Sequence, residues 1–217
     1  MTDLIPLARA ELVRRWAGAQ DGAHDLGHID RVRGNCQQIM ADEPRLDVDA
    51  LHLAVIFHDV VNLPKDAPNR ADAAALSAQV AADWLASHAW PAARILLVTH
   101  AIEAHSFSAG VSPRTAEARV LQDADRLDAL GAIGLARMFA VSGALGRALF
   151  DPDDPLGLHR PLDDRAFALD HLEVKLFGLA QSMHTPTGRT MAEERVDWMC
   201  SFRSRLLREI SGAATYF

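Results

Sequence analysis

Cysteine is nearly absent. Cys36 and Cys200 are the two in 217 residues, far apart and outside any CxxC-type spacing, so a thiolate-built metal centre is excluded. They read as buried reduced thiols rather than a disulfide. Positive charge is also in deficit: 22 Lys and Arg against 29 Asp and Glu give a formal charge of −7. That balance repels a nucleic-acid backbone, and no nucleic acid polymer is expected as a partner. A small anion stays admissible, because one metal ion and a few local cations reverse the field inside a pocket. No apolar run reaches the ~18 residues of a membrane span. The start, Met1-Thr2-Asp3-Leu4, lacks the basic and apolar stretches of a signal peptide. A cytoplasmic chain without membrane attachment is the expectation. Internal repeats and low-complexity linkers are lacking too, and 49% hydrophobic with 24% charged residues suits one globular domain over residues 1–217.

What is present is helical periodicity. Ile29, Val32, Cys36 and Ile39 form one stripe on a helix carrying His28 near its start. Asp47 is placed to cap a helix through Leu51, Val55 and Phe57 to His58. An Ala-rich helix is predicted over about 71–87, and Pro91 opens another running to His100. Val120, Ala124 and Leu127 share the helical segment that holds Asp125. Leu172, Leu176, Leu179 and Met183 form a further stripe, and Thr190 with Glu193 matches a capping box before a last helix through Cys200 and Ile210. No strand pairs are apparent, so the predicted fold is an all-α, single-domain helical bundle. The acidic, Pro-rich stretch 151–165 reads equally as a lid loop or as a surface excursion. Apolar positions on the last helix could serve a homodimer as easily as a core.

Ten histidines is a high count. His58-Asp59 follows an apolar helical run. Adjacent side chains on a helix diverge by ~100°, so both reach one ion only when other helices complete the shell. Imidazole with carboxylate suits Mn, Fe, Co, Ni or Zn, and Mg where oxygen and water dominate. Alone the pair is weak, since many such pairs are a helix end with a satisfied histidine. Two further segments add to it: His24-Asp25-Leu26-Gly27-His28-Ile29-Asp30-Arg31-Val32 upstream, and Gln122-Asp123-Ala124-Asp125-Arg126-Leu127-Asp128 downstream. His24 and His28 compete for one role, and Asp123, Asp125 and Asp128 for another.

This ordered set resembles the HD-domain superfamily of metal-dependent phosphohydrolases, in which a His, a His-Asp pair and a distant Asp from different helices share one metal. The segments HDLGHIDRV, FHDVVNLPK, THAIEAHSFS, QDADRLDALGAIGLAR and HLEVKLFGLAQSMHTPTGR are similar to a small bacterial single-domain branch, over about residues 20–210. The resemblance implies His28, His58, Asp59 and Asp125 as ligands of one divalent ion, with Mn or Mg favoured over Co, Ni, Fe and Zn. His28 precedes Arg31-Val32, and Asp125 lies in Ala-Asp-Arg-Leu, as the family ligands do. Some branches hold a second metal through histidines between the pair and the last Asp; His100 and His105 meet that pattern only in part.

The implied activity is hydrolysis of a phosphate ester or anhydride, with a small phosphorylated molecule, best guessed as a nucleotide, for substrate: a nucleotidase or a nucleoside triphosphate pyrophosphohydrolase. Several branches carry a Glu shortly after the His-Asp pair. Here Val60-Val61-Asn62 stands there, so Asp128, His100 and His105 are the candidate proton acceptors. Arg31, Lys65, Arg126 and Lys175 are candidates for holding phosphate. Phe107 and Phe57 are the few aromatics near the motifs. Two other readings stay open: a di-iron HD-type oxygenase, and a catalytically silent nucleotide-binding sensor.

Overall fold

The computed structural model describes residues 3–17, 25–43, 45–63, 69, 72–106 and 109–212. Regular structure among them is helical, without a β-strand; one isolated bridge pairs Ala148 with Phe167. The all-α expectation holds. The chain forms two compact units, residues 1–125 and 126–217.

In the first unit, α1 (Ile5–Trp16), α2 (Leu26–Ile39), α3 (Val48–Phe57), α4 (Ala73–Ser87) and α5 (Ala92–His105) are joined by the first part of α6 (Ala116–Asp128). Helix α3 is the hub, contacting α1, α2, α4 and α5. It is apolar nearly all round: Ala50, Leu51, Leu53, Ala54, Val55, Ile56 and Phe57 are all buried, as expected of a helix enclosed by others. Ala74, Ser77, Ala78 and Ala81 bury the small-residue face of α4, which lets helix axes approach closely.

The helix starts follow capping chemistry. Asp25 caps α2, its carboxylate accepting from the His28 N–H at 2.8 Å. Asp47 caps α3 as expected, accepting from the Ala50 N–H. That second cap is held from two sides. Arg94 of α5 donates to both Asp47 oxygens, and Glu117 of α6 accepts from the Asp47 N–H at 2.8 Å.

In the second unit, α7 (Gly131–Ala144) packs on α8 (Pro186–Ile210). Gly131 has φ +70°, and its N–H is directed at the Met199 sulfur at 3.1 Å. A Cβ on Gly134 would lie 2.2 Å from the Ala129 carbonyl oxygen, so no larger residue fits this entry into α7. Leu172, Leu176, Leu179 and Met183 are buried as their spacing predicts. They do not form an α-helix, however: a π turn over Leu172–Leu176 passes into a 3-10 segment over Phe177–Ser182. Successive wide and tight turns keep the four side chains on one side while their average spacing stays α-like. The predicted capping box also shifts. Thr185 caps α8 by accepting from the Gly188 N–H, whereas Thr190 sits inside the helix and bonds back to the Pro186 carbonyl.

The stretch 151–165 is built of turns held by its own carboxylates. Asp151 accepts from the N–H groups of Asp153 and Asp154, and Asp154 from those of Leu158 and His159. Arg160 pairs with buried Asp170 through two bonds of 2.6 and 2.9 Å and lies over the Phe167 ring. Cys36 is buried, Cys200 is only partly covered, and both are free thiols. No single helix among the described residues is long and apolar enough to cross a membrane.

Candidate metal centre

Helix ends bring the His and Asp motifs of the first unit together. His28 sits in the first turn of α2, His58 follows the last residue of α3, His105 is the last residue of α5, and Asp125 lies in the last turn of α6. His28 Nε2 and His58 Nε2 are 3.2 Å apart. Asp59 Oδ2 lies 3.6 Å from the first and 3.5 Å from the second. Asp125 Oδ1 lies 3.4 and 3.9 Å from the same two nitrogens. His28, His58 and Asp125 form one group able to hold a metal ion, and His58, Asp59 and His105 form another.

The donor chemistry fits a cation. His58 directs Nδ1 at the Val55 carbonyl 2.8 Å away. In the neutral ring that nitrogen carries the proton, so the Nε2 lone pair faces His28 and both carboxylates. Burial holds the His58 pKa down at about 4, against the partial opposition of Asp59, so the ring is neutral near pH 7. Burial pushes the Asp59 carboxyl up, but the adjacent His58, His105 and His28 rings outweigh it and hold it well below its usual range. Burial lowers His105, but Asp59 and then Asp125 outweigh that and leave it raised. The C-terminal ends of α3, α5 and α6 add partial negative charge at the same place.

Exposure divides the cluster. His28 and His58 are 1% and 0% exposed, whereas Asp59 and Asp125 are 21% and 29% exposed. The imidazoles form a closed floor and the carboxylates an open rim.

The remaining residues singled out by sequence fall elsewhere. His100 Nε2 accepts from the Arg114 N–H at 2.9 Å and so fastens the segment leading to α6. Its lone pair is engaged by that amide. Asp128 is buried and bonded to Arg137 at 2.6 Å. Arg126 donates to the Ser182 carbonyl at 2.7 Å. Lys175 is an exposed residue of the π turn in the second unit. Arg31 follows His28 by three residues on α2, on the same face. Lys65, His24 and Phe107 lie outside the described residues, and Phe57 is fully buried core.

Three residues that sequence reading passed over hold the arrangement together. Asn35 of α2 donates to the Ala124 carbonyl at 2.9 Å, one residue before Asp125. Gln122 of α6 donates to the Ala104 carbonyl at 2.5 Å, one residue before His105. Ser77 of α4 accepts from the Val61 N–H at 3.1 Å, fixing the chain just past Asp59. Their one signal is a polar residue on an otherwise apolar helical face.

Comparison with known proteins identifies the family. The family model of the HD domain matches residues 25–130. A crystal structure of Bacillus subtilis YpgQ in complex with ADP is 30% identical, covers 96% of this chain and 97% of its own, and superposes with a TM-score of 0.73. An HD-superfamily hydrolase from Bacillus thuringiensis is also 30% identical, over 94% of this chain and 95% of its own, with a TM-score of 0.73. A third structure, from Listeria innocua, is 26% identical over 97% of this chain and 98% of its own, again at 0.73. This chain belongs to the HD-domain superfamily, and its His and Asp clusters are of a kind that could hold a divalent metal.

Proposed function

We propose that this protein is a metal-dependent phosphohydrolase that cleaves a phosphate ester or anhydride of a nucleotide, with His28, His58, Asp59 and Asp125 as the ligands of one divalent ion, Mn or Mg. The observation that carries the reading is that Asp59 and Asp125 each bring a carboxylate oxygen within 3.9 Å of both the His28 and His58 Nε2 atoms, which are 3.2 Å apart. The nucleotide is supported by the ADP bound to YpgQ.

When bound, such an ion polarises a phosphoryl oxygen and acidifies a water. The chain's own part follows from the geometry. The buried imidazoles exclude solvent from below, so substrate and water arrive on the carboxylate side. Val55 fixes the His58 ring, and Asp25 fixes the turn that carries His28. On the sequence motifs, rather than the geometry, Arg31 and Lys65 are assigned to the phosphate. Arg126 also donates to the Ser182 carbonyl, His100 accepts from the Arg114 N–H, and Asp128 pairs with Arg137.

The test is product analysis. Metal-stripped protein is given Mn, Mg, Co, Ni or Zn and screened against nucleoside mono- and triphosphates, with Asp59→Ala as control. Phosphate or pyrophosphate release that needs metal and vanishes in the variant is expected. Tight metal binding with no release from any nucleotide would overturn the reading. Oxygen consumption would then point to an oxygenase, and nucleotide binding alone to a sensor.

A further inference from the structure

Helix α8 carries an exposed seam. Glu194, Trp198, Ser201, Arg205 and Arg208 follow one another at alternating steps of four and three, Asp197 and Ser204 lie beside them, and all seven are exposed. Steps that average 3.5 residues keep side chains in one line along a helix. Trp198 is 48% exposed, and among the described residues no other Phe, Trp or Tyr is exposed. Its ring runs nearly parallel to that of Phe202, with centroids 6.3 Å apart, and Phe202 meets Phe139 of α7 at 6.1 Å. Ser201 and Ser204 give their hydroxyls to the Asp197 and Cys200 carbonyls of the same helix. The two serines therefore form a shallow place beside the indole, with their donors already satisfied.

Charge is divided along this seam. The acids Glu194 and Asp197 precede Ser201, and the bases Arg205 and Arg208 follow it. Arg205 pairs with Glu209 of its own helix, but both side chains are more than half exposed, so the pair is exchanged at little cost. A twofold interface has to be self-complementary, because the same patch is used by both copies. Laid antiparallel about Ser201, two copies of α8 bring residue 194 level with 208, 197 with 205, and 198 with 204. Acids then face bases at both ends, and each indole lies over the serines of the other copy. A parallel pair would set acid against acid. Glu193 and Glu209 also come level, but each is eight residues from Ser201 and so ~80° off the seam. We propose that α8 is the contact of a twofold homodimer, in which two copies of this chain pack their last helices antiparallel about Ser201. The seam from 194 to 208 is ~21 Å long, which puts the contact in the small, weak class of interfaces. Its anchors are Trp198 and the two arginines. Neither the metal centre nor the functional reading enters this inference.

Sedimentation velocity of the whole chain across the micromolar range is the test. The wild type should pass from monomer toward dimer as concentration rises, and less so in high salt. Trp198→Ala should weaken the dimer by about 10-fold or more. Two charge variants fix the direction of packing. Glu194→Lys with Asp197→Lys makes the seam wholly basic, and Arg205→Glu with Arg208→Glu makes it wholly acidic. Each should be monomeric alone, and an equimolar mixture of the two should dimerise at least as well as the wild type. A second measurement leaves the charges untouched. In Cys200→Ser with Ser201→Cys, the new thiol lies on the twofold axis and meets its own copy, so mild oxidation should yield a covalent dimer. A wild type that stays monomeric at every concentration would overturn the proposal. So would a dimer that survives Trp198→Ala or forms in either charge variant alone, a mixture that stays monomeric, or a Ser201→Cys protein that does not cross-link.

Discussion

At the scale of single residues, each imidazole is defined by what its other nitrogen does. His58 and His100 are both histidines near the end of an apolar helical run, and sequence alone gives little to separate them. The structure does. His58 points Nδ1 at a carbonyl and leaves Nε2 toward the acidic cluster, whereas His100 Nε2 is taken by the Arg114 N–H. His100→Ala is therefore expected to leave Mn²⁺ affinity within about twofold while lowering stability by roughly 1 kcal/mol, the worth of an ordinary hydrogen bond; titration and urea melts on the same sample check both. Asp59→Asn should behave oppositely. Ligands that bind only the native state raise the melting temperature by mass action. The wild type should thus melt higher in excess Mn²⁺, and Asp59→Asn should lose most of that increment. An equal rise in both proteins would show that the ion binds elsewhere.

At the scale of the element, buried polar side chains set the spacing of helices that apolar contacts alone would leave free to slide. Asn35 ties α2 to α6 beside Asp125, and Gln122 ties α6 to α5 beside His105. Asn35→Leu removes the donor at a site that excludes water. It should cost roughly 1–3 kcal/mol in denaturant unfolding and weaken Mn²⁺ binding as well, because Asp125 follows the bonded carbonyl. A stable variant with normal metal affinity would refute that role. Gly134→Ala tests a different constraint. Its Cβ would meet the Ala129 carbonyl oxygen at 2.2 Å, and backbone oxygen cannot rotate aside. A loss of roughly 3 kcal/mol or failure to fold is expected. Legibility divides along the same line. Asp25 and Asp47 act where short polar residues precede apolar runs, a pattern visible in sequence. The stripe at Leu172 to Met183 was readable as burial but not as geometry, since π and 3-10 turns in succession average to an α-like spacing. Asn35, Gln122 and Ser77 showed only as polar residues on apolar faces; their partners were not legible, because these are main-chain carbonyl and amide groups, which every residue type supplies alike.

At the scale of the whole molecule, side-chain ion pairs couple stability to pH. Hydrogen bonds from Arg94 hold the Asp47 carboxyl below its ordinary value despite the opposing effect of burial. Burial raises Asp170, but bonds from Arg160 and the Asp163 N–H outweigh it and leave it lowered. A carboxyl depressed in the folded state contributes stability that is complete above its unfolded pKa of ~3.9 and is lost as pH falls through the folded value. The stability gap between wild type and Arg94→Met should therefore be constant from pH 7 to 5 and shrink below about pH 4. Urea midpoints across that range check it, and a gap that persists at the acid end would mean that Arg94 acts through its contact with the Trp90 ring instead. The overall class of the chain was legible because the His, the His-Asp pair and the distant Asp follow one another in a fixed order. The substrate was not, since few aromatics lie near the motifs and one of them, Phe57, is core.

The walled-in imidazoles and the open carboxylates also have a kinetic consequence. Since the carboxylates are the exposed members of the cluster, ion and substrate share that approach, and whichever enters second hinders the exit of the first. A phosphate seated on the rim would slow removal of the ion by a chelator, in proportion to its own occupancy. Chelation rates measured against phosphate concentration would then report product residence without any turnover assay.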